Sequence, residues 1–194
     1  CSVACVGGIG EHLSKRLASL VGGDLLVRAL FHLPVEIRHR PVLTSGAGVV
    51  HGTYGTFLMR VVSLAAPQTR RQPFKVTGIF DDTPVEVVFF HYHKAYLQQR
   101  FRPGTDIVLS GRLELSGGII RVLHPDYCVS GIEFVPVFEP LYPLTAGVSL
   151  KTVRKMTLEA LKRLPELPEW QDTAFLKAKG FAGFKEGLEK LHHP

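Results

Sequence analysis

The spacing of apolar positions changes twice along the chain. In Glu11–Leu20, Leu13, Leu17 and Leu20 recur at i, i+4 and i+7, the stripe of an amphipathic helix. Gly22-Gly23 stops it. Asp24 is placed to cap a second helix over Leu25–His32, which must end before Pro34 because proline disfavours helical backbone in the residue ahead of it. Pro34–Val49, rich in Gly, Pro and Arg, reads as a connector. From about Val49 to Val129 the period is two. Strands are expected at Thr56–Leu64, Phe74–Phe80, Pro84–Phe90, Ile107–Leu115 and Ile119–His124. Asp81-Asp82 and Gly117-Gly118 supply hairpin turns, and His93–Phe101 suits a short helix between the third and fourth strands.

Past Pro143 the period returns to that of a helix. Ser149 can cap Leu150–Leu164, whose inner stripe is Val153, Met156, Ala160, Leu161 and Leu164. Pro165 and Pro168 end it, and Phe184, Leu188 and Leu191 mark a last short helix. Five short strands with a helix between the third and fourth are the order of an OB-fold barrel, so the fold class is α+β: a five-stranded barrel with flanking helices. The expected division is an N-terminal helical segment over 1–48, a barrel over 49–129, and a linker with helices over 130–194.

Composition narrows the function. The 194 residues are 45% hydrophobic, which excludes a disordered chain, and no apolar run approaches the roughly 18 residues of a membrane span. With no signal peptide visible, a cytoplasmic location is expected. The net charge of +6 leans toward an anionic partner. That charge is local: Leu150–Leu164 carries five basic residues (Lys151, Arg154, Lys155, Lys162 and Arg163) against Glu159 alone. Cys1, Cys5 and Cys128 form no CxxC pair and read as thiols of a reducing compartment. The start at Cys1 and the X-Pro end at Pro194 read as cut ends, so a piece of a longer protein is expected.

No GxxxxGK[ST] loop is present, so no nucleotide cradle is expected. Gly147-Val148-Ser149-Leu150-Lys151-Thr152 lacks the glycine before lysine and reads as a helix cap. His91, His93, His124 and Cys128 could be gathered into a metal site of a small enzyme, although Cys128 has no companion at ligand spacing. Gly8-Ile9-Gly10, ahead of the first helix, makes Gly8 and Gly10 candidates for a phosphate contact. The richest segment is Phe89–Tyr96. Phe89 follows the inward alternation of Val85 and Val87, leaving Phe90, Tyr92 and Tyr96 free to face outward beside Lys94. Exposed aromatics on an OB face stack nucleic-acid bases, while Arg70, Arg71, Lys75 and Lys94 would hold phosphates.

Several stretches carry a resemblance to a known family. They are Gly8-Ile9-Gly10, Asp24-Leu25-Leu26, His32-Leu33-Pro34, Phe89-Phe90 with Tyr96-Leu97, and His124-Pro125-Asp126-Tyr127. Most specific are Leu141-Tyr142-Pro143-Leu144-Thr145-Ala146-Gly147-Val148-Ser149 and Leu191-His192-His193-Pro194. Together they resemble the N-terminal wedge region of RecG, a bacterial ATP-dependent DNA helicase family. Glu11-His12 stands where the family commonly has Pro-Lys.

The resemblance implies a wedge that binds branched DNA (stalled forks and Holliday junctions) and splits its strands during fork regression, recombination and repair. It places one stacking aromatic at Phe90 and the second at Tyr96, with Tyr92 the alternative. No catalytic or metal residue and no cofactor is expected of this stretch; ATP and Mg belong to the parent's motor domains, which are its expected partners. A monomer is expected. Rival readings are a generic OB module for single-stranded DNA or tRNA, and the metal-dependent enzyme above.

Overall fold

The computed structural model of the chain describes residues 1–65 and 72–194. In chain order its elements are α1 (Glu11–Val21), β1 (Glu36–His39), β2 (Tyr54–Ala65), β3 (Phe74–Phe80), β4 (Thr83–Phe89), α2 (Lys94–Arg100), β5 (Asp106–Ser116), β6 (Ile119–Leu123), β7 (Tyr127–Val129), β8 (Phe138–Leu141), α3 (Leu150–Lys162), α4 (Thr173–Lys179) and α5 (Phe184–His192). They group into two compact units. One is the continuous segment 39–137; the other joins 1–38 to 138–194. The sequence division runs in three consecutive segments, whereas the packing draws the first and third together.

The 39–137 unit is a closed barrel. Strand order is β2-β3-β4-β6-β5, and β5 pairs back onto β2. β2 closes the ring because it serves two neighbours: its first half runs antiparallel to β5 from Tyr54 to Arg60, and its second half to β3 from Arg60 to Ala65. A register shift between Val61 and Ser63 marks the passage from one partner to the other. β4 and β6 pair in parallel, Val85 beside Ile120. The other neighbours are antiparallel, and β7 lies along β5.

Both hairpin turns follow from local chemistry. Asp81 and Asp82 (φ +47° and +60°) and Gly117 and Gly118 (φ +59° and +76°) are paired left-handed residues, the turn whose twist matches the flanking strands. Gly78 answers a closer constraint. A Cβ there would sit 2.5 Å from Met59 Sδ and 2.6 Å from the Arg60 carbonyl oxygen.

Phe57, Met59, Phe74, Val87, Leu109 and Val122 fill the barrel, fully buried. Each such side chain contributes roughly 1.5–3 kcal/mol by leaving water. α2 closes one end through Leu97 and the following Phe101, whose ring lies 5.7 Å from Phe89. Phe89 is in the core, as its alternation requires.

The second unit is mainly helical. Leu17 of α1 and Val153, Met156 and Ala160 of α3 share its core, and β1 and β8 form a two-stranded sheet. Ser149 caps α3 as expected, its Oγ accepting from the Thr152 N–H at 3.2 Å. One expected helix is corrected. Leu26–Phe31 forms a 3-10 helix, not an α-helix, and its N-cap is Leu25, with no side-chain bond from Asp24. The Asp24 carbonyl instead accepts from the Val3 N–H at 2.7 Å.

Candidate nucleic-acid interface

The rim of the barrel where β4 ends presents the expected aromatics. Phe90 is the first residue past β4 and is 53% exposed. It has left the ladder, so its N–H needs another acceptor, and it donates to His124 Nε2 at 2.9 Å. Tyr96, on α2 beside buried Leu97, is 58% exposed. Tyr92 differs from both. It is half-buried against the barrel core, its ring 5.5 Å from Phe74. Of the two tyrosines, Tyr96 presents the freer ring.

The basic residues divide. Lys94, in the first turn of α2, is exposed. Lys75 donates to Glu86 Oε2 at 2.8 Å, and Arg121 reaches the other oxygen of the same carboxylate at 2.8 Å. Lys75, then Arg121, hold the Glu86 carboxyl below its ordinary range against the opposing effect of burial. Two cations around one carboxylate leave a net positive spot on the barrel wall. Arg70 and Arg71 lie outside the described residues.

The His-Pro-Asp-Tyr stretch after β6 acquires a physical role. His124 takes a left-handed backbone, φ +44°, and its imidazole meets Phe90. Asp126 Oδ2 accepts from Arg40 Nη2 at 2.7 Å, and the buried Arg40 guanidinium lies 5.2 Å from the Tyr127 ring and 5.1 Å from that of Tyr54. One segment therefore ties the interior Arg40 to the exposed rim. The sequence offered no signal for either pairing, since the partners are 86 and 34 residues apart.

The metal-site residues do not converge. Among the described residues no group of three potential ligands is close enough to hold an ion. His91 and His124 instead stack at 6.1 Å, and burial pushes the Cys128 thiol up to about 12, a protonated and unreactive state. Among the described residues no helix is long and apolar enough to cross a membrane.

Gly8 and Gly10 belong to the helical unit. Gly8 has φ +76° and Gly10 is the N-cap of α1, without a side-chain cap bond. The loop is held by Lys155, whose Nζ donates to the Gly7 carbonyl at 2.5 Å. The cations of α3 are thus partly committed. Arg154 Nη1 meets the buried Glu139 carboxylate at 2.8 Å, and Arg163 Nη2 donates to the Cys5 carbonyl at 3.3 Å. Lys151 is exposed.

A closed five-stranded barrel with one parallel pair, β4–β6, a helix at its end and aromatics at its rim defines an OB-type module with flanking helices. No family model matches the chain. In sequence it is 25% identical over 195 residues to the ATP-dependent DNA helicase RecG of Haemophilus influenzae, covering 97% of this chain and 28% of that one. It is 25% identical to RecG of Escherichia coli strain K12 over 96% of the chain and 27% of the relative, and 23% identical to that of Thermotoga maritima over 96% and 24%.

A solved structure of RecG bound to a three-way DNA junction superposes over 100% of this chain and 27% of its own, with a TM-score of 0.78 at 22% identity. The likeness read from separate motifs therefore extends along the whole chain: it resembles the N-terminal wedge region of RecG. It spans little more than a quarter of the length of the relatives it matches.

Proposed function

We propose that this chain is the wedge region of a RecG-like helicase, binding branched DNA and holding its strands apart where they split. The observation that carries the reading is the pair of outward aromatics, Phe90 and Tyr96, set on and beside the rim of a barrel whose strand phenylalanines, Phe57, Phe74, Phe80 and Phe89, are all buried. Phe90 and Tyr96 stack on unpaired bases at the junction, and the half-buried Tyr92 supports the rim. Lys94 and the Lys75–Glu86–Arg121 wall, with Arg70 and Arg71, bind phosphates of the arms. Gly8 and Gly10 offer backbone amides to a further phosphate at the start of α1.

The energetics assign the division of labour. Opening a base-pair step costs about 1.4 kcal/mol, and each stacked base returns about 1–3 kcal/mol. Two rings return about 2–6 kcal/mol, roughly one to four steps, so the wedge stabilises an opened junction and drives nothing by itself. Unwinding, fork regression and Holliday-junction processing in recombination and repair fall to ATP- and Mg-dependent motor domains of the parent protein, a cytoplasmic monomer in this reading. The chain itself binds DNA without hydrolysing ATP.

Binding of a Y-shaped fork and of the matching single strand, each at two salt concentrations, tests this. The wedge reading expects the fork to bind more tightly, with affinity falling as salt rises. Equal affinity for fork and single strand would instead favour a generic OB module.

A further inference from the structure

Phe90 sits one residue beyond the last ladder pair of β4, where a chain end would ordinarily swing freely. It does not. β4 and β6 are extended past their own ends by two crossed bonds: the His124 N–H donates to the Val88 carbonyl at 2.9 Å, and the Phe90 N–H donates to His124 Nε2 at 2.9 Å. The second bond requires a lone pair on Nε2, so the imidazole is neutral with its proton on Nδ1. The imidazole also touches three consecutive rings. It meets Phe89 edge-on at 6.0 Å, Phe90 at 5.6 Å and an interplanar angle of 37°, and His91 in a stack at 6.1 Å. His124 does this from a left-handed backbone (φ +44°), a conformation that a non-glycine residue holds only under local constraint.

We infer that His124 is a positioning residue for the wedge: its Nε2 fixes the Phe90 backbone and its ring supports one face of the Phe90 ring, so that the other face meets a junction base already in place. The inference rests on the stacking role given to Phe90 above. It explains why a half-exposed aromatic can be an effective stacker. A ring whose backbone is tied and whose inner face is covered loses little freedom when a base lands on it, and that saving appears as affinity. His124 itself need touch no DNA.

The test compares wild type with Phe90→Ala, His124→Leu and His124→Gln, using a fork that carries 2-aminopurine at the first paired position. Leu and Gln meet the same left-handed backbone and have similar volume, but only Gln returns an acceptor at the distance of Nε2. Circular dichroism and thermal melting establish that each variant keeps the barrel.

The expected result is a fork affinity about fivefold lower in His124→Leu and restored to within about twofold in His124→Gln, with quenching of the 2-aminopurine following the same order. If Phe90→Ala weakens the fork and the two His124 variants do not differ, the positioning role is overturned while the wedge reading stands. If Phe90→Ala also leaves fork binding unchanged, the stacking role falls and the positioning role falls with it. Should His124→Leu unfold, His124→Gln alone decides: a folded Gln variant without fork-dependent quenching overturns the inference.

Discussion

The barrel rim and the basic face of α3 both carry residue types associated with nucleic-acid binding, yet the fold treats them in opposite ways. On α3 and its C-cap three of the cations are tied to the helical unit, while Lys151 stays exposed. Arg154 neutralises the buried Glu139, Lys155 pins the loop before α1, and Arg163 reaches the carbonyl of Cys5. At the rim the reverse holds. The interior of the barrel is satisfied without Phe90 or Tyr96, and their rings remain open to solvent. A charge on a helix face is long enough to find an internal carboxylate or carbonyl, whereas the Phe90 ring, just past the end of β4, lies outside the barrel core. The difference teaches that residue type alone does not separate the candidate interface from the scaffold; what each side chain is committed to has to be read as well.

The sharpest way to break this comparison is Arg154→Ala. Removing the guanidinium from beside the buried Glu139 carboxylate costs roughly 3 kcal/mol of stability in the helical unit, read by urea denaturation. It should leave the fork preference of the folded protein unchanged. Phe90→Ala should show the opposite profile. Fork affinity falls by about 1–3 kcal/mol in a binding titration while the melting temperature barely moves, since the ring is already half in water. Tyr96→Ala should follow with a smaller loss.

Acid separates the two units as well. His192 is buried; its Nε2–H donates to the Leu30 carbonyl at 3.0 Å, leaving Nδ1 to accept from the Tyr142 hydroxyl at 2.8 Å. Burial, the largest cause, lowers its pKa below the ordinary 6.5. The unfolded chain therefore takes up the proton more readily than the folded one. Stability of the helical unit should fall as pH drops below about 6.5, and His192→Gln should flatten that dependence in pH-resolved thermal melts. The smallest expected effect is at Lys94. Lys94→Gln should lower fork affinity slightly and reduce the slope of log affinity against log salt by about 0.9. An unchanged slope would remove Lys94 from the phosphate contacts.

What the sequence disclosed follows from the range of each interaction. Strand alternation, the Asp81-Asp82 and Gly117-Gly118 turns and the Ser149 cap depend on residues within a few positions of one another, and all appear where the pattern places them. The barrel was legible for that reason. The 3-10 form of Leu26–Phe31 was not, because an apolar spacing of three to four suits either helix and the choice falls to packing. α4 escaped too, being a single short element between prolines and glycines. At the candidate site the exposure of Phe90 could be read from alternation, whereas Tyr92, expected to face outward with it, is half-buried against Phe74. The commitments of Lys75 to Glu86, Arg154 to Glu139 and Phe90 to His124 could not, since each partner arrives from another element.

The grouping of 1–38 with 138–194 also orders events in time. The barrel is one uninterrupted stretch and can close as soon as its last strand has left the ribosome. The helical unit must wait, because the partners of its segment 1–38 are translated only after the barrel. Until then Leu17 has only Val3, Val6, Leu26 and Leu30 of its own segment to pack on, without Val153, Met156 and Ala160, and joining the two pieces means closing a loop of about a hundred residues. A barrel already folded within that loop shortens the effective separation of the two pieces, so synthesis order turns a costly long-range search into a short one. Segment 1–38, made before the barrel and completed only after it, is therefore exposed to aggregation for longer than the barrel in a nascent chain.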